Sequence, residues 1–319
     1  MTPEDGRPFR TEIETGRLAP DSPLPRAAAA LMAHAAFVDP GSTFPVFDAL
    51  AAAVLDGSPD QARDTLLEGL PWTATGSAAA RPVPEALWDG FWALVARPPA
   101  GPVDPLAFTT SVVALGALYD AELLARCEAA LGGVPSVAQL LATPEVRLRN
   151  ADLDGLPAGS LGAELARMLA AQGYDLEVID ADTVVLDGPW PAQNRTNRRI
   201  LQLHDIWHLV AGYGFTPAGE IAISGFQLAQ FGQNYAARFL AVVAALAAVH
   251  MTPLAFPLLT LMLEGWRHGR TTPPLLALPW HTLLARPIAE LRADLGVRLF
   301  TSRVAGLFDA TPAAAPQAA

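Results

Sequence analysis

A glycine and proline break between two helical segments constrains this chain more than any other feature, because it brings four polar side chains toward one place. Residues 204–220 read HDIWHLVAGYGFTPAGE. On a helix that turns once every ~3.6 residues, His204 and His208 stack on one face. Asp205, three before His208, borders that face. Gly212, Tyr213 and Gly214 break the helix, since glycine accepts the positive φ of a helix C-terminus. Thr216 then reads as an N-cap and Pro217 as the first residue of a second helix. His208 lies about one turn, or ~5 Å, before the break, and Glu220 about one turn after the restart. If the two helices fold back as a hairpin, those residues end up level.

The pattern predicts a metal site of two histidines and one carboxylate: His204, His208 and Glu220. Asp205 is a further ligand, a hydrogen-bonding partner behind the ligands, or the catalytic base. Such a donor set suits zinc with an open position, which is the metal expected here, or non-haem iron. Two rival motifs fail on details. A zinc protease carries Glu after the first His, where this chain has Asp205. An HD-type phosphohydrolase needs a separate upstream His, and His34, in an alanine-rich helix, is the only one before the motif. His250, His268 and His281 are assigned no role.

Alanine and leucine dominate and β-branched runs are few, so the expected fold is all-α, a multi-helix bundle with at most a small β-hairpin near 176–186. The hairpin rests on Leu176, Val178, Val184 and Leu186 around an acidic turn. Short helices are expected at 26–37, 46–55, 60–70 and 84–96, with loops at 71–84 and 97–105 and one long helix over 106–131. Ser160 and Gly173 mark the start and stop of another. Residues 311–319, TPAAAPQAA, read as a disordered tail.

A net charge of −11 argues against nucleic acid as a partner. Arg195, Arg198 and Arg199 are the one local basic patch, read as a solvated helix face or as a phosphate site. Arg267 and Arg270 are placed either to hold a phosphate or carboxylate headgroup or to cap their helix. Cys127 is the only cysteine, so no internal disulfide forms, and its apolar neighbours predict burial. The charged N-terminus lacks the apolar core of a signal peptide, which makes the cytoplasm the expected location.

Residues 239–263 carry no formal charge over twenty-five positions. That length could span a bilayer, but Pro253, Pro257 and His250 argue for two buried helices with a proline break. They either wall a cavity for a lipid or form ordinary core.

Beyond the ligand pattern, the motif HDxxH, eleven residues, Glu resembles that of the Coq-four proteins of ubiquinone (coenzyme Q) biosynthesis. LQLHDIWHLVAGYG, the following GE and FQLAQFG look like its bacterial members, as do LDGLPAGSLGAELARML upstream and GWRHGR and RPIAELRADLGV downstream. The resemblance covers about residues 150 to 297. It divides the chain into a helical N-terminal region (1–105), a metal- and lipid-binding helical domain (106–300) and a tail (301–319). It implies an all-α fold, a metal usually taken to be zinc at His204, Asp205, His208 and Glu220, and a polyprenyl lipid ligand. The implied activity replaces the ring C1 carboxyl of a polyprenyl hydroxybenzoate by hydroxyl, an oxidative decarboxylation. The alternative is a non-catalytic isoprenoid-binding scaffold that organises quinone-biosynthesis enzymes. Either role implies peripheral contact with the inner face of the plasma membrane, and association into an oligomer stays open.

Overall fold

The computed structural model describes residues 6–67, 81–98, 105–177 and 181–308. Among them the chain forms fourteen α-helices and no strand; an isolated antiparallel bridge joins Ser160 and Pro287. The first half holds α1 (Arg7–Thr15), α2 (Leu24–Phe37), α3 (Thr43–Asp56), α4 (Pro59–Leu67), α5 (Glu85–Val95), α6 (Pro105–Gly116) and α7 (Ala121–Gly132). The second half holds α8 (Pro135–Ala142), α9 (Leu161–Ala171), α10 (Pro191–Ala211), α11 (Pro217–Phe231), α12 (Asn234–His250), α13 (Thr252–Thr271) and α14 (Ile288–Leu295). The all-α expectation holds.

Helix α2 is buried at every position from Ala27 to Phe37, as an alanine-rich helix without a polar face must be. It packs along α12, while α3 packs on α13. The N-terminal helices and the C-terminal ones therefore share one continuous hydrophobic core.

The tightest helix pair is α11 on α13, and glycines make it so. A Cβ on Gly265 would lie 2.0 Å from the Ala222 carbonyl oxygen, and one on Gly225 would lie 2.3 Å from that of Met262. Backbone touches backbone here, which only residues without a side chain permit. The contact fixes α11, the helix that starts at Glu220's turn. Helix α10 is fixed at its other end. Arg292 donates to the Val210 carbonyl at 2.9 Å and to that of Leu209 at 2.5 Å, and the Phe300 amide donates to Ala211 at 2.8 Å. These donors satisfy carbonyls that a helix C-terminus otherwise leaves open.

Two local expectations are corrected. Residues 106–131 form two helices bent by 104°, not one. The bend sits where Tyr119 is buried, its hydroxyl donating to Ala36, and where Asp120 caps α7 by accepting from the Leu123 amide. The hairpin near 176–186 is not formed among the described residues. Ala181–Val184 is a 3₁₀ turn, and the Leu186 amide and carbonyl are both bonded by the Asn194 side chain, which leaves them nothing to offer a ladder. Val178 and Asp180 lie outside the described residues, as do the tail 311–319 and most of both proline-rich loops, 71–80 and 99–104.

The uncharged run at 239–263 does split into two helices, but at Met251, with Pro253 in the first turn of α13. Pro257 stays inside α13. Its missing N–H leaves only the carbonyl of exposed Pro253 without its helical partner, which is cheap so close to a helix start. No single described helix is long and apolar enough to cross a membrane; the bent pair α6 and α7 has that length and composition only when taken together.

His34, buried on α2, donates from Nδ1 to the Ile13 carbonyl at 2.7 Å. Burial pushes this imidazole below its ordinary value, more than that bond and Asp39 raise it. The folded state thus prefers neutral His34. Its contribution to stability should be complete above about pH 6.5, the ordinary value, and decline as pH falls. Urea unfolding between pH 7.5 and 5 should show a loss that is smaller in His34→Gln.

Candidate metal centre

Local sequence builds the site as two helix ends meeting. Gly212 takes φ +81° and closes α10, its amide and that of Tyr213 both donating to the His208 carbonyl at 3.0 Å. The Thr216 hydroxyl caps α11 by accepting from the Gly219 amide at 3.1 Å, and Pro217 follows as its first residue. Between the two helices Trp207 packs against Phe226 and Phe231.

The structure brings together three of the four expected residues. His204 Nε2 lies 3.1 Å from Glu220 Oε2 and 3.1 Å from His208 Nε2, and His208 Nε2 lies 3.2 Å from Glu220 Oε1. A metal with tetrahedral bonds of ~2.0–2.1 Å holds neighbouring donor atoms roughly 3.3 Å apart, so these separations fit one ion. His204, His208 and Glu220 are the one such cluster among the described residues. Asp205, half-buried on the same helix, places no carboxylate oxygen in it.

The hydrogen bonds behind the ligands also suit a cation. His208 Nδ1 lies 3.1 Å from the Tyr213 carbonyl, which can only accept, so Nδ1 carries the proton and Nε2 presents its lone pair to the cluster. The Gln227 amide lies 2.6 Å from His204 Nδ1. Turned so that its oxygen accepts, it sets the same tautomer there.

Burial opposes a charge on His204, but the nearby Glu220 carboxylate, helped by Asp205 and Gln227, lifts the imidazole to about 9. Burial would raise Glu220, yet the His204 charge and the bonds from both histidines hold it well below the usual carboxylate range. The field therefore favours positive charge at the centre. His208 is fully enclosed, whereas the His204 and Glu220 side chains keep 30% and 36% of their surface, which leaves one side open for a further ligand. Phe215 stacks on the closed histidine at 4.1 Å and is itself exposed.

Gln227 and the Tyr213 carbonyl escaped the sequence reading. Gln227 had a signal: it stands seven residues, about two turns, after Glu220 on the same helix face. The Tyr213 carbonyl had none beyond the glycine that aims it. The other charged candidates serve the fold. Arg195 and Arg198 pair with Glu145, and Arg199 donates to the Leu276 and Leu278 carbonyls. Arg267 and Arg270 pair with Asp56 and Asp48. His250 bonds the Val95 carbonyl, and His268 joins the Tyr213 hydroxyl to the Arg298 carbonyl. Cys127 is buried, which pushes its thiol up to about 12.

Fold and cluster together define a helical protein with a two-histidine, one-carboxylate centre. The family model of the coenzyme Q (ubiquinone) biosynthesis protein Coq4 matches residues 107–300, and the chain belongs to that family. It is similar to the mitochondrial ubiquinone biosynthesis protein COQ4 of Eremothecium gossypii, with 27% identity over 161 residues, 49% of this chain and 48% of the relative. The protein of the same name from Zygosaccharomyces rouxii is 32% identical over 110 residues, 34% of this chain and 32% of the relative. The chain thus spans about half or less of the length of these curated relatives. A solved structure of a putative ubiquinone biosynthesis protein from Nostoc punctiforme is 24% identical with a TM-score of 0.44, covering 60% of this chain and 96% of that one.

Proposed function

We propose that this chain acts in ubiquinone synthesis through a divalent metal held by His204, His208 and Glu220. Its substrate is a polyprenyl hydroxybenzoate, whose ring C1 carboxyl would leave as carbon dioxide and be replaced by hydroxyl, with dioxygen as the two-electron oxidant. The observation that carries this reading is the convergence of three donors, with the His208 tautomer already set, in a member of a ubiquinone-biosynthesis family. Bound there, the cation supplies Lewis-acid polarisation, and iron in the same donor set adds the oxygen chemistry that redox-inert zinc lacks.

The residues have distinct tasks. Tyr213 and Gln227 hold the two imidazoles inward, and Glu220 balances the charge. Asp205 lies outside the cluster but close enough to lift His204, which supports assigning it the task of holding or moving a proton. The open edge formed by His204 and Glu220 admits the aromatic head. A polyprenyl substrate resides in the bilayer, so the working location is a peripheral one on its cytoplasmic face, beside other enzymes of the pathway.

The test is turnover of a polyprenyl hydroxybenzoate. A metal's share of several kcal/mol corresponds to about a hundredfold in rate, and Glu220→Gln should lose at least that. Equal turnover by wild type and variant would sink the reading.

A further inference from the structure

Tyr213 bonds His208 with both ends of its backbone. Its amide donates to the His208 carbonyl at 3.0 Å, and its carbonyl accepts from His208 Nδ1 at 3.1 Å. Any rotation of Tyr213 therefore disturbs the bond that keeps His208 Nε2 turned toward His204 and Glu220. Glycine stands on either side, at 212 and 214, so the flanking backbone gives Tyr213 little direction of its own. That direction has to come from its side chain.

The side chain is held by His268, in the last turns of α13. The Tyr213 hydroxyl lies 2.8 Å from His268 Nδ1, and His268 Nε2 lies 2.9 Å from the Arg298 carbonyl. A carbonyl can only accept, so Nε2 carries the ring proton and Nδ1 accepts from the hydroxyl. Burial pushes the His268 imidazole below its ordinary value and the Tyr213 phenol well above its own, which keeps both groups in the neutral forms these bonds need.

The far end of this chain of bonds is anchored as well. The Phe300 ring stacks on Tyr213 at 4.4 Å, and its amide donates to Ala211 at 2.8 Å. Leu299 lies so close to Gly212 that a Cβ added there would come within 2.7 Å of its side chain. Residues 298–300 thus strap the end of α10, and His268 ties strap, turn and α13 together.

We infer that His268 is a positioning residue for the metal centre: it fixes Tyr213 by its hydroxyl, so that the Tyr213 carbonyl stays on His208 Nδ1 and His208 Nε2 stays on the ion. His268 itself stands outside the ligand cluster and acts through Tyr213. This role rests on the metal reading of His204, His208 and Glu220 given above.

Zinc affinity, measured against a competing chelator, and the visible spectrum of the cobalt(II)-loaded chain test it together. His268→Phe keeps a ring but loses both bonds, and should weaken zinc binding about tenfold, the low end for a partner behind a ligand. It should also shift the cobalt bands, which report ligand geometry and which a loss of stability alone does not move. Tyr213→Phe removes only the hydroxyl and should do the same, with the double variant no worse than either single one. His268→Gln, whose amide has an acceptor and a donor, should recover part of the loss. Tyr119→Phe also removes a buried hydroxyl's bond, far from the site, and should change neither affinity nor spectrum. Wild-type metal binding with an unchanged spectrum and affinity in His268→Phe and Tyr213→Phe overturns the role of His268 alone. A wild-type chain that binds neither metal removes the centre and this role with it.

Discussion

His208→Ala should lower affinity for a divalent metal by about a hundred- to a thousandfold. In structural zinc sites, energies of ~10–16 kcal/mol shared among four ligands give roughly 2.5–4 kcal/mol for each ligand, and every 1.4 kcal/mol is tenfold. His208 is the ligand for which this is cleanest, because its tautomer is fixed by the Tyr213 carbonyl and its side chain is fully enclosed. The variant also gives up that hydrogen bond and the stacking on Phe215, so a stability loss of about 1–3 kcal/mol accompanies the change. Metal titration with a competing chelator measures the first effect and urea unfolding the second. His281→Ala, at an exposed position, is the control and should change neither.

Gly265→Ala should destabilise the protein by about 3 kcal/mol or more, although it adds a single methyl group. Overpacking a core costs about 1–3 kcal/mol when side chains can shift, and here the new carbon meets the Ala222 carbonyl, which cannot move without α11. Gly132→Ala provides the contrast, since nothing lies within 4 Å of its added Cβ and the change suits a helix end. That variant should be neutral or more stable by about 0.5–1 kcal/mol. Urea midpoints of the two variants, compared at equal slope, decide the matter. Because α11 carries both Glu220 and Gln227, Gly265→Ala should also weaken metal binding, whereas Gly132→Ala should not.

The parts of the site legible in the sequence are those written in local backbone chemistry. Gly212, Thr216 and Pro217 each set a helix end by rules that act over a few residues, so His208 and Glu220 end up level once the two helices fold back as a hairpin. Asp205 was the exception. It borders the ligand face, yet it places no carboxylate oxygen in the cluster, and spacing does not report that. Gln227 and the pairing of Arg267 with Asp56 depend on which helices pack together, a long-range choice with no local signature. The same limit explains the bend between α6 and α7. An alanine- and leucine-rich run favours one long helix, and the buried Tyr119 hydroxyl bonded to Ala36, from a distant helix, overrides that propensity. At 176–186 the alternating apolar residues suggested strands, but the Asn194 side chain takes the backbone groups a ladder would need.

The most direct measurement of the central claim is native mass spectrometry of the purified chain combined with elemental analysis. One zinc or iron ion per chain is the expected result, lost in His208→Ala and retained in His281→Ala. A wild-type chain that takes up no divalent metal at stoichiometric level, even after reconstitution, would contradict the account.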